Sequence, residues 1–254
     1  MEKSIDLTII CVYNNKNILN TMLLESLNHQ NVKSKTLLFD NSDNYYSSAA
    51  KAYSDLIETV QSKYVLFVHQ DIIFDTEDSL INIYKYMLNN KESIVGVVGV
   101  KINDNKAYGT IREGVHGEYS RCFKIESAIT VDAVDECCFG GKVGLIRKVG
   151  FDSDTCNGFH LYAVDLCYAA KKMGIETCVV PSQLIHVSLG NLSHDFFIRL
   201  KKLRNKYKKN FKYIRTCCIQ IETAKPVFYY ELKYMKKIYI KHILQKFLKV
   251  NCRN

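Results

Sequence analysis

The stretch Lys63 to Asp75 reads KYVLFVHQDIIFD, and His69, Gln70 and Asp71 stand where an apolar run gives way to polar residues. Asp71 has two readings: the end of a strand in a polar turn, or a hard oxygen ligand for a divalent cation that bridges phosphates. Asp40 follows the apolar run Thr36 to Phe39 in the same manner, within Asp40-Asn41-Ser42. Further on, Asp135-Glu136 opens DECCFGGKVGLI, where the pair can touch an acceptor hydroxyl or only cap a turn. His160, Tyr162 and Asp165 crowd the start of a helical pattern, and Asp165 there also has the plain explanation of a carboxylate favoured by the helix dipole. His186 sits inside the short apolar stretch LIHVS. Such a histidine is either a satisfied core residue or a neutral imidazole ligand, suited to manganese as well as zinc.

These side chains meet only if the chain folds them together. Tyr64 to Val68 are five apolar residues with β-branched and aromatic members, as in a strand covered on both faces. Ile5 to Val12 makes a similar strand that breaks at Tyr13-Asn14-Asn15, followed by a helix over 16–27. A strand over 36–39, a helix capped by Ser47 or Ser48, the central strand, a helix through Leu80, Ile83 and Leu88, and a strand over 94–100 continue the alternation. That order predicts an α/β fold with a mostly parallel central sheet, flanking helices and right-handed crossovers. Asp40 and Asp71 then share one sheet edge, the edge at which open α/β sheets bind ligands. Residues 101–124 read as a long connection over the site, 135–146 as an extended segment whose Gly140-Gly141 marks a bend or a close approach of backbone to ligand, and 162–174 as a helix ended by Gly174.

With 254 residues, 47% hydrophobic and 24% charged, the chain can bury a large core without staples. Ten cysteines are scattered through strand and helix patterns, and the pairs Cys137-Cys138 and Cys217-Cys218 lack the spacer of a zinc site. They read as small buried hydrophobes in a reducing, cytoplasmic compartment, with no secretory start and no apolar run that spans a bilayer. Charge is uneven: from Phe196 onward 17 Lys and Arg face only Glu222 and Glu231, so the net +9 of the whole chain covers an acidic body and a basic tail. The first strand is followed by YNNKN, without the glycine-rich turn of a dinucleotide site or a phosphate-gripping lysine loop.

The opening strand with its Tyr-Asn-Asn end, LLFDNS at Leu37 to Ser42 and FVHQD at Phe67 to Asp71 together resemble the donor half of family-two glycosyltransferases of the GT-A fold. The resemblance is to the glycosyltransferase-like branch in which His-Gln-Asp replaces Asp-x-Asp, and it covers about residues 4–208. It implies that Tyr13, Asn14, Asp40, His69, Gln70 and Asp71 bind the nucleotide-sugar donor, with Asp40 on the nucleoside. It also implies that Asp71 and His186 hold a divalent metal, manganese or magnesium, on the diphosphate. The base that deprotonates the acceptor would come from the loop-to-helix junction: relatives carry a carboxylate two residues before Asp-Leu-Cys, where this chain has Ala163. Asp165 is then the first candidate, with Asp135 and His160 in reserve.

The expected activity is inverting transfer of a sugar from a UDP- or dTDP-linked donor to a glycan hydroxyl, in cell-surface polysaccharide synthesis. Three alternatives stand beside it. A sugar nucleotidyltransferase needs the same acidic metal site, but the lysine-bearing loop is missing. A binding protein without transfer activity fits Ala163. A nucleic-acid binder would use the basic tail, although the tail lacks a stacking motif and the acidic body repels phosphate. Beyond the transferase domain, residues 1–208, the extension 209–254 is expected to form a basic helix. There Phe228, Leu232, Met235, Tyr239, Ile243 and Phe247 make an apolar stripe, with Lys233, Lys237, Lys241, Gln245 and Lys249 on another face. The stripe can lie on an anionic membrane, or pack on the body or on a second subunit.

Overall fold

The computed structural model describes residues 3–90, 92–120, 122–188 and 192–237. β1 (Lys3–Tyr13) leads into α1, made of Lys16–Ile18, a π-helical stretch Leu19–Leu24 and Glu25–Asn28; β2 (Val32–Asp40), α2 (Ala49–Glu58) and β3 (Tyr64–Val68) complete the first alternation. The chain continues through β4 (Ile72–Phe74), α3 (Ser79–Asn89), β5 (Ile94–Gly96), β6 (Val98–Val100), β7 (Ala107–Gly109) and β8 (Arg112–Glu113). Next come β9 (Ile129–Val131), β10 (Ala133–Val134), β11 (Cys138–Lys142), α4 (Val143–Val149) and α5 (Tyr162–Lys172). β12 (Thr177–Val179), β13 (Leu184–His186), α6 (His194–Tyr207), β14 (Tyr213–Arg215), β15 (Gln220–Glu222) and a helix over 227–237, α7, follow.

The main sheet has seven strands in the order β2-β1-β3-β11-β5-β12-β9. β1 is parallel to β2 and β3, and β5 is parallel to β12, while β11 and β9 run against their neighbours. Alternate side chains of the buried strands enter two cores. Ile10, Val65 and Phe67 meet α2 and α5 on one face, and Ile9, Leu66 and Val68 meet α1 and α3 on the other. Both faces of β1 and β3 are therefore covered, which is why their sequences are nearly unbroken apolar runs.

Three expectations change. The strand expected over 94–100 splits at Val97, so that β5 stays in the main sheet and β6 joins β10 and β7 in a second one. The segment after Lys142, which reads as extended in sequence, is a helix, α4. Gly140 does bring backbone close, but to the neighbouring strand: a Cβ there would lie 2.0 Å from the carbonyl oxygen of Val65. That crowding lets β11 insert between β3 and β5 only with glycine at this point.

Packing also continues past residue 208. Ile214 and Ile221 of the β14–β15 hairpin are fully buried, and with Val227 they belong to the core that contains α5 and α6. The described cysteines are free thiols. Of the expected apolar stripe, Tyr239, Ile243 and Phe247 lie outside the described residues, as do Lys241, Gln245 and Lys249.

Candidate functional site

The parallel strands β1 and β3 end side by side, and a network of amides joins their tips. Gln70 Oε1 accepts the backbone N–H of Asn14 (3.1 Å) and of Asn15 (3.0 Å), while its Nε2 donates to Asn14 Oδ1 at 2.9 Å. The next tip is tied in by Asn41, whose N–H donates to the Tyr13 carbonyl at 2.7 Å. Asn41 also exchanges two hydrogen bonds with the backbone of Tyr46, which shapes the loop before α2. Between these tips and α5 opens a cavity of about 350 Å³, lined by Tyr13, Asn14, Asn41, Tyr53, His69, Gln70, Asp71, Phe159 and Tyr162 among others.

Asp40 stands outside that lining. It is exposed, its Oδ1 accepts the Ser42 N–H at 2.9 Å, and it is hydrogen-bonded by the Tyr13 hydroxyl. The Ser42 hydroxyl and amide hold its carboxyl below the usual range, so it is a fixed anion at the cavity rim.

His69 and Asp71 reach the site from the turn after β3. β4 resumes directly beyond them and pairs antiparallel with β13, with His186 opposite Ile72. This pairing carries a histidine from far along the chain to Asp71: His186 Nε2 lies 3.5 Å from Asp71 Oδ2. Donor atoms of His69, Asp71 and His186 all lie within 4.8 Å of one another. The side chains of Asp71 and His186 are only 16% and 14% exposed. Burial alone would raise the Asp71 carboxyl, but hydrogen bonds and charge from His186, with help from Ser188, keep it well below the ordinary range. Burial lowers His69, and the neighbouring His186 lowers it further. For His186, burial is outweighed by Asp71, and its affinity for protons rises. One ionised carboxylate and two imidazoles around one point fit a divalent metal ion. His69 Nε2 also meets the Tyr162 hydroxyl at 2.9 Å, which fixes the orientation of its ring.

The three candidates for the base fall in different places. Asp165 does not line the cavity. It is 1% exposed, and its carboxylate is held by Lys206 Nζ at 2.7 and 2.9 Å and by the Tyr207 hydroxyl at 2.8 Å. The geometry thus corrects the expectation for Asp165, whose carboxylate is committed to packing α5 against α6. His160 is half-buried with its ring 5.9 Å from that of Phe196 on α6 and is absent from the cavity lining; its neighbour Phe159 lines the cavity instead. Asp135 is beside the cluster: its charge acts on both His69 and His186, and its Oδ1 accepts the Cys137 N–H at 3.0 Å.

Of the pair Asp135-Glu136, which the sequence leaves between an acceptor contact and a turn cap, Glu136 is not among the three candidates for the base. Its carboxyl faces the start of α5, where the backbone amides of Leu161, Tyr162 and Ala163 favour its ionised form, and its Oε1 is buried without a hydrogen-bond partner. Burial, followed by the charge of Asp135, pushes its affinity for protons well above that of an ordinary glutamate. Leu161, at φ 68°, adopts the left-handed conformation to turn those amides, an arrangement unusual for a residue with a Cβ. Tyr53 and Asn41 were also missed as lining residues, because Tyr53 is indistinguishable from the apolar face of α2 in sequence.

A doubly flanked, mostly parallel sheet with a carboxylate and two histidines gathered at the ends of its strands has the architecture of the GT-A glycosyltransferases. A family model described as "Glycosyltransferase like family" matches residues 7–214, and the chain belongs to that family. Among solved structures it resembles GalNAc-T7 with UDP, GalNAc and Mn²⁺ (TM-score 0.54, 10% identity, covering 80% of this chain and 47% of that one). It also resembles the mannosyltransferase PcManGT from Pyrobaculum calidifontis in complex with GDP-Man and Mn²⁺ (TM-score 0.54, 13% identity, covering 82% of this chain and 65% of that one). The chain therefore spans less than two thirds of either structure. No curated protein matches it in sequence.

Proposed function

We propose that the protein transfers a sugar, with inversion, from a nucleoside-diphosphate donor to a glycan hydroxyl in cell-surface polysaccharide synthesis. The observation that carries this reading is the His69–Asp71–His186 cluster at the mouth of a cavity built from the tips of β1, β2 and β3. Asp40, fixed by Ser42, would bind the nucleoside, and Tyr13 offers an aromatic face beside it. Asp71 and His186, with His69 close by, would hold the metal; when bound, the ion neutralises charge on the departing diphosphate. Both similar structures contain Mn²⁺, one with UDP and the other with GDP-Man, so the base of the donor is to be read by experiment with UDP, dTDP and GDP.

For the proton acceptor we place Glu136 ahead of Asp165. Glu136 stands outside the cavity lining, as Asp165 does, but it faces the amides of Leu161 to Ala163 beside the lining residue Tyr162, at the helix start where relatives carry their own carboxylate and this chain has Ala163. In the single displacement, the acceptor oxygen forms a bond to the anomeric carbon, the bond to the diphosphate breaks with its electron pair, and the acceptor proton passes to Glu136. A carboxylate of raised proton affinity is a stronger base once ionised.

Thermal shift and calorimetry with nucleoside diphosphates, with and without manganese, test the donor site. Asp71→Ala should abolish metal-supported binding and leave the fold intact; unchanged affinity with manganese would refute the assignment. A second reading is favoured by one observation: among the described residues, Asp71 is the only carboxylate that lines the cavity. In that case the protein binds nucleotide sugars without transferring them, and no acceptor or water would ever consume a bound donor.

A further inference from the structure

α7 is anchored by one face, and that face is not the apolar stripe. Val227 is 4% exposed, and Tyr230 and Tyr234 pack on the core. The Tyr234 ring lies 5.7 Å from Phe197, the Tyr230 hydroxyl accepts the Glu222 N–H at 2.8 Å, and Glu231 meets His194 at 2.6 Å. Every inward position of the helix thus has a partner in α6 or the β14–β15 hairpin. The opposite face carries Phe228, Tyr229, Leu232 and Met235, each at least half exposed. Lys233, Lys236 and Lys237 are exposed around them, while Lys225, also exposed, is paired with Glu222 at 2.7 Å. Glu231, the one acidic residue of the helix, is turned inward with its side chain 15% exposed.

We propose that this outward face of α7 docks the protein on an anionic membrane surface. An apolar stripe flanked by Lys233, Lys236 and Lys237, with Glu231 turned inward and Glu222 already paired to Lys225, matches an acyl boundary beneath acidic headgroups. A second copy of the chain fits less well, since a two-fold interface through this helix sets Lys233, Lys236 and Lys237 against their own counterparts. Nucleic acid would leave Leu232 and Met235 without a complement. Among the described residues no helix is long and apolar enough to cross a membrane. The docking face also neighbours the site: α6, which receives α7 at His194 and Phe197, packs through Phe196 on His160, next to Phe159 of the cavity.

Flotation of the full chain with vesicles of 70% phosphatidylcholine and 30% phosphatidylglycerol, against pure phosphatidylcholine, tests this. Binding should require the anionic lipid and fall steeply as salt is raised. Replacing Lys233, Lys236 and Lys237 by Gln should weaken it on the order of 100-fold, from roughly fivefold per lysine. The triple change Phe228→Ser, Leu232→Ser and Met235→Ser should abolish flotation while the melting temperature and donor binding stay as in the parent, because these positions are exposed. Flotation that survives the serine changes, equal binding to pure phosphatidylcholine, or no binding at all would overturn the proposal. So would a dimer in gel filtration that the serine changes convert to monomer, or retention of single-stranded oligonucleotide without vesicle binding.

Discussion

Lys206→Met is the sharpest test of the role assigned to Asp165. Lys206 Nζ contacts Asp165 at 2.7 Å and Asp152 at 2.8 Å, so one ammonium serves two carboxylates from different elements. Methionine keeps the stem and removes the charge, which leaves Asp165 buried and opposed only by the Tyr207 hydroxyl. Breaking a buried pair from one side costs about 3–5 kcal/mol. Lys206 is 28% and Asp152 35% exposed in their side chains, so solvent screens part of the interaction and the low end, about 3 kcal/mol, is expected. At about 2–4 °C per kcal/mol for a chain of this size, the melting temperature should fall by roughly 6–12 °C.

The pH dependence has a definite sign. Burial would raise Asp152, but Lys206 and Thr155 hold its carboxyl well below the usual range. It therefore contributes stability above its unfolded value, near 3.9, that is lost as pH falls. Asp165 is raised by burial despite Lys206, so its contribution is greatest in acid and fades as pH rises. The variant loses the first contribution and suffers more from the second, and its deficit should be largest at neutral pH and shrink toward pH 4.5. Urea titrations at both pH values, with midpoints and slopes compared, measure this. A deficit below about 1 kcal/mol at pH 7, or one that grows in acid, would refute the buried-pair reasoning.

Asp165→Asn, which keeps an acceptor for Tyr207, should leave turnover within a few-fold of the parent, whereas Glu136→Gln should lower kcat by roughly 100-fold or more at unchanged donor affinity. The parent's kcat/KM should rise with pH through an inflection above the ordinary carboxylate range, because Glu136 acts as a base only when ionised, and that inflection should vanish in Glu136→Gln. Asp40→Ala should weaken nucleoside binding with or without manganese, as read by calorimetry; a loss confined to the metal-containing titration would contradict its place at the rim. Gly174 follows α5 at φ 72°, and a Cβ added there would meet nothing within 4 Å, so Gly174→Ala should cost about 1 kcal/mol through backbone strain alone, read from the urea midpoint.

The first half of the fold was legible because its information is local. Tyr64 to Val68 announces a doubly covered strand by composition, and the polar residue after each such run marks a tip. What the chain does not advertise is the pairing of distant partners. Lys206 lies 41 residues from Asp165, and nothing in the spacing of either distinguishes a buried ion pair from a reactive carboxylate at a helix start. Gly140-Gly141 reads in sequence as a bend or a close approach of backbone to ligand, whereas Gly140 approaches Val65 of a strand much earlier in the chain, which only the topology reveals. The run VGLI after Lys142 is too short for its period to separate helix from strand. α7 carries two apolar faces, and only packing shows that Val227, Tyr230 and Tyr234 face inward.

Gln70 has a consequence for the thermodynamics of ligand capture. Its amide uses both ends to lock the tips of β1 and β3, so two walls of the cavity are joined before any ligand arrives. Loop ordering on binding normally opposes association with an unfavourable entropy, and this part of the cavity has little left to order. Donor capture on the Asn14–Gln70 side should therefore behave as rigid docking, with the entropic cost of ordering already met during folding.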